Sequence, residues 1–406
     1  MNEWKRCKLG EAPFKIIDGD RSKNYPQKNE FRENDYCIFL NTKNVTTDGF
    51  DFTKLNFISK EKDELLRKGK LKKSDLVLTT RGTIGNIGYY NASIPFDNIR
   101  INSGMVIIRP NGIHSNFNYY LFKHLKRDFE MFITGSAQPQ LPIKDLKEIF
   151  LLIPPLPEQK AIASILSSLD DKIDLLHRQN KTLETMAETI FRQWFIEEAN
   201  DDWEEGRLGD ICNISGGYAF KSKDFTDEGV PIVKIKNISN NQVDILEGQF
   251  VSENLAQKID KKFRLYNGDI VMAMTGNVGR IGLICSSSYD FLLLNQRVAV
   301  LRSKYQALLW FLLNAVNLEK DILNMSNGAV QANISTTGIE SVPIPKINIK
   351  KAQLFNKEIE SIFQKIKTNT LQIQTLTQLR DTLLPKLMSG KVRVQYDNND
   401  NNFQYS

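Results

Sequence analysis

From Glu158 to Trp194 an apolar residue returns every seven positions, at Ile162, Leu169, Leu176, Leu183 and Ile190, flanked by Leu166, Ile173, Asn180, Ala187 and Trp194. The first set takes the d positions of a heptad and the second the a positions. The pattern recurs far along the chain, with Ile359, Ile366 and Ile373 at a, and Ile362, Asn369, Leu376 and Leu383 at d. A chain with two such stripes must bury both, and each seam carries one Asn. Antiparallel helices set a against d, so one register places Asn180 against Asn369, Leu176 against Ile373, Ile173 against Leu376, Leu183 against Ile366 and Ile190 against Ile359. A parallel pair at the repeat spacing would bury Asn180 on Ile373 and Asn369 on Leu176, leaving two amides unsatisfied at about 1 to 3 kcal/mol each. The expectation is an antiparallel coiled coil about 50 Å long, at about 1.5 Å per residue, rather than two amphipathic helices packed on separate domains. In this register Arg380 falls opposite Leu169, a poor match, and Pro385 is expected to break or kink the second helix. Gly390 fits a helix stop.

The two helices belong to an internal repeat. Trp4 to Glu11 (WKRCKLGE) matches Trp203 to Asp210 (WEEGRLGD), and Asn41 to Val45 (NTKNV) matches Lys234 to Ile238 (KIKNI). Asp75 to Gly88 (DLVLTTRGTIGNIG) matches Asp269 to Gly282 (DIVMAMTGNVGRIG) at a shift of 194, with the Asp and three glycines coinciding. Asn102 to Arg109 (NSGMVIIR) parallels Asn295 to Arg302 (NQRVAVLR), and LLIP at Leu151 parallels VPIP at Val342, each time just before a heptad helix. The unit is therefore a globular domain followed by a long helix, used twice. Short β-branched runs such as Leu76 to Thr80, Met105 to Ile108, Ile270 to Met274 and Val298 to Leu301 read as strands between Gly and Asn turns. Tyr119 to Phe132 and Gln306 to Leu323 read as helices, and Pro157 preorganises the first turn of the first long helix. The fold class is α/β (α+β), with domains at 1–156 and 201–346, spacer helices at 157–200 and 347–392, and a polar, disordered tail at 393–406.

Composition narrows the function. The 406 residues are 41% hydrophobic and 25% charged, ordinary for two or three globular domains. No apolar run reaches the length of a membrane span, and Met1 opens a charged segment rather than a signal peptide, so a cytoplasmic protein with no membrane partner is expected. Cys7, Cys37, Cys212 and Cys285 lie far apart with no CxxC, suggesting neither disulfides nor zinc. Only His114, His124 and His177 are available for acid-base chemistry. The net charge of +6 is unevenly spread: residues 1–150 hold 25 Lys and Arg against 18 Asp and Glu, whereas 202–346 hold 15 against 16. If both halves bind nucleic acid, the first should supply more of the phosphate attraction.

The GxxGxxG loop, Gly82, Gly85 and Gly88 and again Gly276, Gly279 and Gly282, lacks the GK[ST] of a nucleotide site. Two readings remain: a tight turn that only Gly tolerates, or contact with a DNA backbone using Thr80, Arg81 and Arg280. Basic runs precede both loops, Arg67, Lys68, Lys70, Lys72 and Lys73 in one repeat and Lys258, Lys261, Lys262 and Arg264 in the other. Such a run is a solvated face or, given its recurrence, a phosphate-tracking surface. Lys43 and Asn44, matched by Lys236 and Asn237, join the candidates. Amide and guanidinium side chains suit base edges, and Asn98, Arg100 and Asn102 match Asn295, Gln296 and Arg297, as Gln138 and Gln140 match Gln331 and Asn333. Each of these also fits a turn or cap. No NPP[FYW], FxGxG, Walker or HExxH motif is present, so no catalytic residue, cofactor or metal is expected.

The repeat, the TRGTIGNIG loop, the IPPLPEQ opening of the first helix (Ile153 to Gln159) and the LLPKLMSG close of the second (Leu383 to Gly390) together make the chain resemble the specificity subunit of a type I restriction-modification system, over residues 1–392. That resemblance implies a non-catalytic subunit with two target recognition domains, each reading one half of a split double-stranded DNA sequence, and paired helices as a spacer. It also implies docking of two methyltransferase subunits, which recruit the restriction and motor subunits. At the start of the second helix, Lys346, Ile347, Asn348, Ile349 and Lys350 replace the Pro, Leu, Pro, Glu and Gln of the first. The residues themselves leave other readings open: the recognition component of a type IIB or IIG restriction-methylation enzyme, a two-domain enzyme with its cleft between the repeats, or a scaffold that does not touch DNA.

Overall fold

The structure, a computed structural model, describes residues 4–135, 139–197, 205–245, 248–315 and 333–395. Packing divides the chain into two units, Met1–Asp171 with Gln378–Ser406, and Lys172–Thr377. The long helices Leu156–Arg192 and Ile349–Met388 each contribute one stretch to each unit.

In the first unit, four antiparallel strands lie in the order Phe14–Asp18, Met105–Pro110, Leu76–Thr79, Ile87–Tyr89. Leu76, Leu78, Val106 and Ile108 share a core with Phe117, Leu121 and Phe122 of the helix Ser115–Phe129. Val77 and Ile107 point the other way, onto Ile38, Leu40, Ile99 and Ile101 of a three-stranded sheet. A strand covered on both faces must be apolar at every position, which is why these runs do not alternate. The second unit repeats the plan. Asn213–Gly216, Val298–Arg302, Ile270–Ala273 and Ile281–Leu283 hold the same order within a six-stranded sheet. Met105 faces Thr79, as Val298 faces Ala273. The helix Gln306–Ala315 occupies the place of Ser115–Phe129; the rest of its expected run, 316–323, lies outside the described residues. Burial pushes the thiols of Cys37, Cys212 and Cys285 up to about 12, so they act as small apolar groups.

The helix seam follows the expected register. In the second unit Ile173, Leu176, Ile373 and Leu376 form one cluster, and Leu183 and Ile190 share a core with Ile366 and Ile359. Asn369 Nδ2 donates to Asn180 Oδ1 at 2.9 Å. Numbers rise on one helix as they fall on the other, so the pair is antiparallel. The two amides do not reciprocate, however. Asn180 Nδ2 turns to Thr370 Oγ1 at 3.3 Å, and Asn369 Oδ1 is buried without a partner.

Two expectations are corrected in the first unit. Arg380 is no mismatch: it donates to Asp170 Oδ1 at 2.8 Å, while Asp170 Oδ2 accepts from Tyr120 Oη at 2.7 Å. Pro385 does not break the helix, which runs on to Met388. It sits in the last turn beside Leu384, Leu387 and Met388, and their burial in the unit's core outweighs one missing amide donor. Gly390, at φ 71°, then ends the helix, with Val392 N donating back to Lys386 O at 3.1 Å.

The helix openings explain their motifs. Glu158, fully buried, accepts from Trp4 Nε1 at 3.0 Å and from Arg393 Nε and Nη2 at 2.6 and 2.8 Å. Gln159 accepts from His114 N and donates to Pro154 O, both at 2.9 Å. In the second helix Asn348 Oδ1 caps Lys350 N at 2.8 Å, and Asn356 Oδ1 accepts from Leu308 N at 3.1 Å, the service Gln159 performs in the first.

Candidate nucleic-acid interface

Each unit's sheet has two chemically different ends. At one end a bidentate ion pair clamps neighbouring strands. Arg109 Nε and Nη2 reach the two oxygens of Asp75 at 2.8 and 2.7 Å, and Arg302 reaches Asp269 at 2.8 and 2.5 Å. Both Asp carboxylates also accept backbone amides, from Lys72 and from Tyr266. At the other end of the same strands lies the glycine loop. A four-residue strand such as Leu76–Thr79 separates the two ends by roughly 13 Å.

The loop has the same construction in both units. Gly82 and Gly85 take φ values of 70° and 84°, and Gly276 and Gly279 take 74° and 88°, a region where a Cβ is costly. The third glycine serves a different need. A Cβ on Gly88 would meet Phe50 at 2.6 Å, and one on Gly282 would meet Val243 at 2.8 Å. Beside the loop a turn is locked by an Asn side chain: Asn102 Oδ1 accepts from Gly104 N at 2.9 Å, and Asn295 Oδ1 from Arg297 N at 3.3 Å. A third segment joins by a single β-bridge, Arg81 with Gln140 and Thr275 with Asn333.

The structure sorts the expected residues between these ends and the interior. Lys70, Lys72 and Lys73 stand at the clamp end, away from the loop that follows them in sequence. Lys70 and Arg100 are both paired to the buried Asp63, Arg100 Nε at 2.5 Å, and Arg100 Nη2 also donates to Asp63 O and Leu66 O. Lys73 Nζ donates to Ile94 O at 2.6 Å, and Lys72 is exposed. Lys261 and Lys262 are exposed at the corresponding end, Lys262 lying 3.9 Å from Asp260 and over the ring of Phe263. Asn44 and Asn237 are buried and lock their turns, accepting from Asn41 N and Lys234 N at 3.0 Å. Asn44 Nδ2 donates to Asp51 O and Lys54 O, and Asn237 Nδ2 to Asp244 O. Thr80 is buried with its hydroxyl on Gly104 O. Arg280 braces its loop from within: Nη1 donates to Ile238 O at 3.2 Å, matching Asn86 Nδ2 on Val45 O at 3.0 Å.

What remains exposed at the loop end is Lys43, Arg81 and Gln140 in the first unit and Lys236, Gln296, Arg297 and Asn333 in the second. Gln138 and Gln331 lie outside the described residues. Two cations at this end escape sequence reasoning. Arg21 donates to Ser103 O at 3.3 Å, and Lys126, from the helix Ser115–Phe129, reaches Asn86 Oδ1 at 3.4 Å and lies along Gly85. Neither is near the loop in sequence, and the GxxGxxG pattern gives no hint of them. In the second unit Met274, Thr275, Gln296, Arg297, Asn333, Ile334 and Ser335 line an open groove of about 730 Å³. A second groove of about 640 Å³ opens at the clamp end, past Arg302, and shares no residue with it. The loop end thus offers positive charge, fork-shaped donors and side-chain amides on a rigid sheet edge, which is the chemistry that meets phosphates and base edges.

The family described as "Type I restriction modification DNA specificity domain" matches residues 1–185 and again 200–381. The chain is 30% identical to the MjaIX specificity subunit of a type I restriction enzyme from Methanocaldococcus jannaschii, over 80% of this chain and 78% of that one. It is 22% identical to the HindI specificity subunit from Haemophilus influenzae, over 97% of this chain and 100% of that one. Among solved structures it is similar in fold to the S subunit of a type I restriction-modification system from M. genitalium, with a TM-score of 0.59 and 18% identity over 95% of this chain and 96% of that one.

Proposed function

The chain belongs to the type I restriction-modification DNA specificity family, and from that premise we propose that it reads a bipartite DNA target, one half with each repeat, while its long helices dock two methyltransferase subunits. Members of this family supply specificity rather than catalysis. The restriction and motor subunits would then join through the methyltransferases. Among the described residues no helix is long and apolar enough to cross a membrane.

The observation that carries this reading is a shared frame with different exposed side chains. Clamp, glycine loop and Asn-locked turn coincide in both units, whereas the exposed loop-end positions hold Arg81 and Gln140 in one and Gln296, Arg297 and Asn333 in the other, with a half-buried Thr275 in the place of Arg81. Two scaffolds alike in backbone and unlike in contact residues are suited to two different words on one duplex.

Methylation mapping of cells carrying the chain with its methyltransferase partner tests the proposal. A split motif is expected, and exchanging residues 1–150 for those of a relative should change one half only. A continuous motif, or a change in both halves, would reject the one-repeat, one-half assignment. The purified chain alone should neither methylate nor cleave DNA.

A further inference from the structure

The two units place a loop-end guanidinium on different strands of the same corner. In the first unit Arg81 opens the glycine loop, and Gly104 stands across the sheet from it. In the second the matching positions are Thr275 and Arg297. Hydrogen bonds fix the correspondence: Thr80 N and Arg81 N donate to Gly104 O at 2.8 and 3.1 Å, as Met274 N donates to Arg297 O at 3.0 Å. Size is exchanged along with charge. A Cβ on Gly104 would lie 2.9 Å from Thr42 Cγ2 and 3.7 Å from Arg81 Cβ, so the corner beside Arg81 is filled. In the second unit that corner opens into the groove between Thr275 and Arg297.

Arginines with a structural task in these sheets end on carboxylates or backbone carbonyls: Arg100 on Asp63, Arg109 on Asp75, Arg302 on Asp269, Arg264 on Ala256 O and Arg280 on Ile238 O. Arg81 and Arg297 are exposed, and no carboxylate pairs with either among the described residues. Each stands beside a side-chain amide, Gln140 in one unit, Gln296 and Asn333 in the other. A phosphate contact tolerates a long side chain from either strand. A guanine edge must be met in its own plane by the guanidinium fork, so strand choice matters there. Neighbouring strands lie about 4.8 Å apart, more than the roughly 3.4 Å between stacked bases.

We propose that Arg81 and Arg297 each read the O6 and N7 edge of one guanine, in different halves of the target, with the neighbouring amides placed for an adjacent adenine. Because the two guanidinium groups start from different strands, the two guanines occupy different positions within their half-sites. This rests on the bipartite reading above.

The test is methylation mapping by the full chain with its methyltransferase partner. In the unaltered protein each half of the word should contain a G·C pair. Arg297→Ala should relax discrimination at one G·C position of one half by roughly tenfold to a hundredfold, leaving the other half unchanged, and Arg81→Ala should do the converse. Arg297→Lys, which keeps the charge and loses the fork, should behave as Arg297→Ala does. The paired change Thr275→Arg with Arg297→Gly should restore methylation at a word whose guanine has moved. The assignment is overturned if the word is unchanged in both alanine variants. It is equally overturned if Arg297→Lys keeps the word while both alanine variants lower methylation evenly at all sites, because the groups then hold phosphates. An undivided word in the unaltered protein would instead reject the bipartite reading itself.

Discussion

Asp20 and Asp63 tie down the basic run of the first unit from inside. Asp20, 3% exposed, accepts from Ser22 N, Arg67 N and Lys68 N at 2.7, 2.8 and 3.3 Å. Burial pushes its carboxyl up, but these hydrogen bonds prevail and bring it to about 2. Burial also opposes ionisation of Asp63, and Lys70 and Arg100 together outweigh it, holding the carboxyl below the usual range. A carboxylate depressed in the folded state contributes stability that is complete above its unfolded value near 4 and is lost as pH falls through the folded value. The first unit should therefore lose structure as pH falls from about 4 toward 2. Asp63→Asn should blunt that acid limb while destabilising the unit at neutral pH by about 3 to 5 kcal/mol, since Arg100 is left buried without its counter-charge. Acid titration followed by tryptophan fluorescence and near-ultraviolet circular dichroism checks this; coincident acid limbs for the two proteins would remove Asp63 from the account. Among the described residues the second unit shows no such triad. Arg264 there donates to the carbonyls of Ala256 and Gln257 instead, so its acid response should be weaker.

Among the elements, the helix pair shows most directly what a single residue type can specify. Asn180 and Asn369 meet between apolar layers, Leu176 and Ile373 on one side and Leu183 and Ile366 on the other, and only one register lets them do so. Their bonding is partial, with Asn369 Oδ1 left without a partner, so the pair contributes to register more than to stability. Asn180→Leu should lower the unfolding midpoint of the full chain by the equivalent of about 1 to 3 kcal/mol, because Asn369 then loses its principal acceptor in a buried place. Asn180→Leu combined with Asn369→Leu should recover that loss or exceed the unaltered protein. A urea melt of the single and double variants decides it, and a double variant no better than the single would show that the amides do not act as a pair. The ends of the helices follow a different logic. Pro385 has the local chemistry of a break, yet it stands inside the last turn because Leu387 and Met388 beside it are buried.

At the scale of the whole molecule, both long helices serve both units, so neither helix is a linker for one domain alone. Lengthening the seam by one heptad must then be done in both helices at once, and it adds roughly 10 Å, about 3 bp of B-DNA. Under the bipartite reading, the unread gap in the methylated word should grow by about that amount while both halves stay the same. An unchanged gap would mean that seam length does not set it. The heptads, the repeat and the glycine spacing were all legible without coordinates, because each depends on a local period or on the dihedral freedom of a single residue. Arg81, Gln296 and Arg297 could be nominated on their chemistry alone. The chain order could not reveal that Lys70 and Lys73 stand at the opposite end of a strand from Arg81, that Arg100 and Asn44 are consumed in the interior, or that Arg21 and Lys126 arrive at the loop from distant segments. Periodicity and backbone conformation are settled over a few neighbouring residues, so the sequence by itself determined the antiparallel helix pair and the twofold repeat. Exposure depends on which strands meet, and a strand carries residues adjacent in sequence to opposite ends of a sheet, so only the tertiary structure decided which charges and amides face outward together.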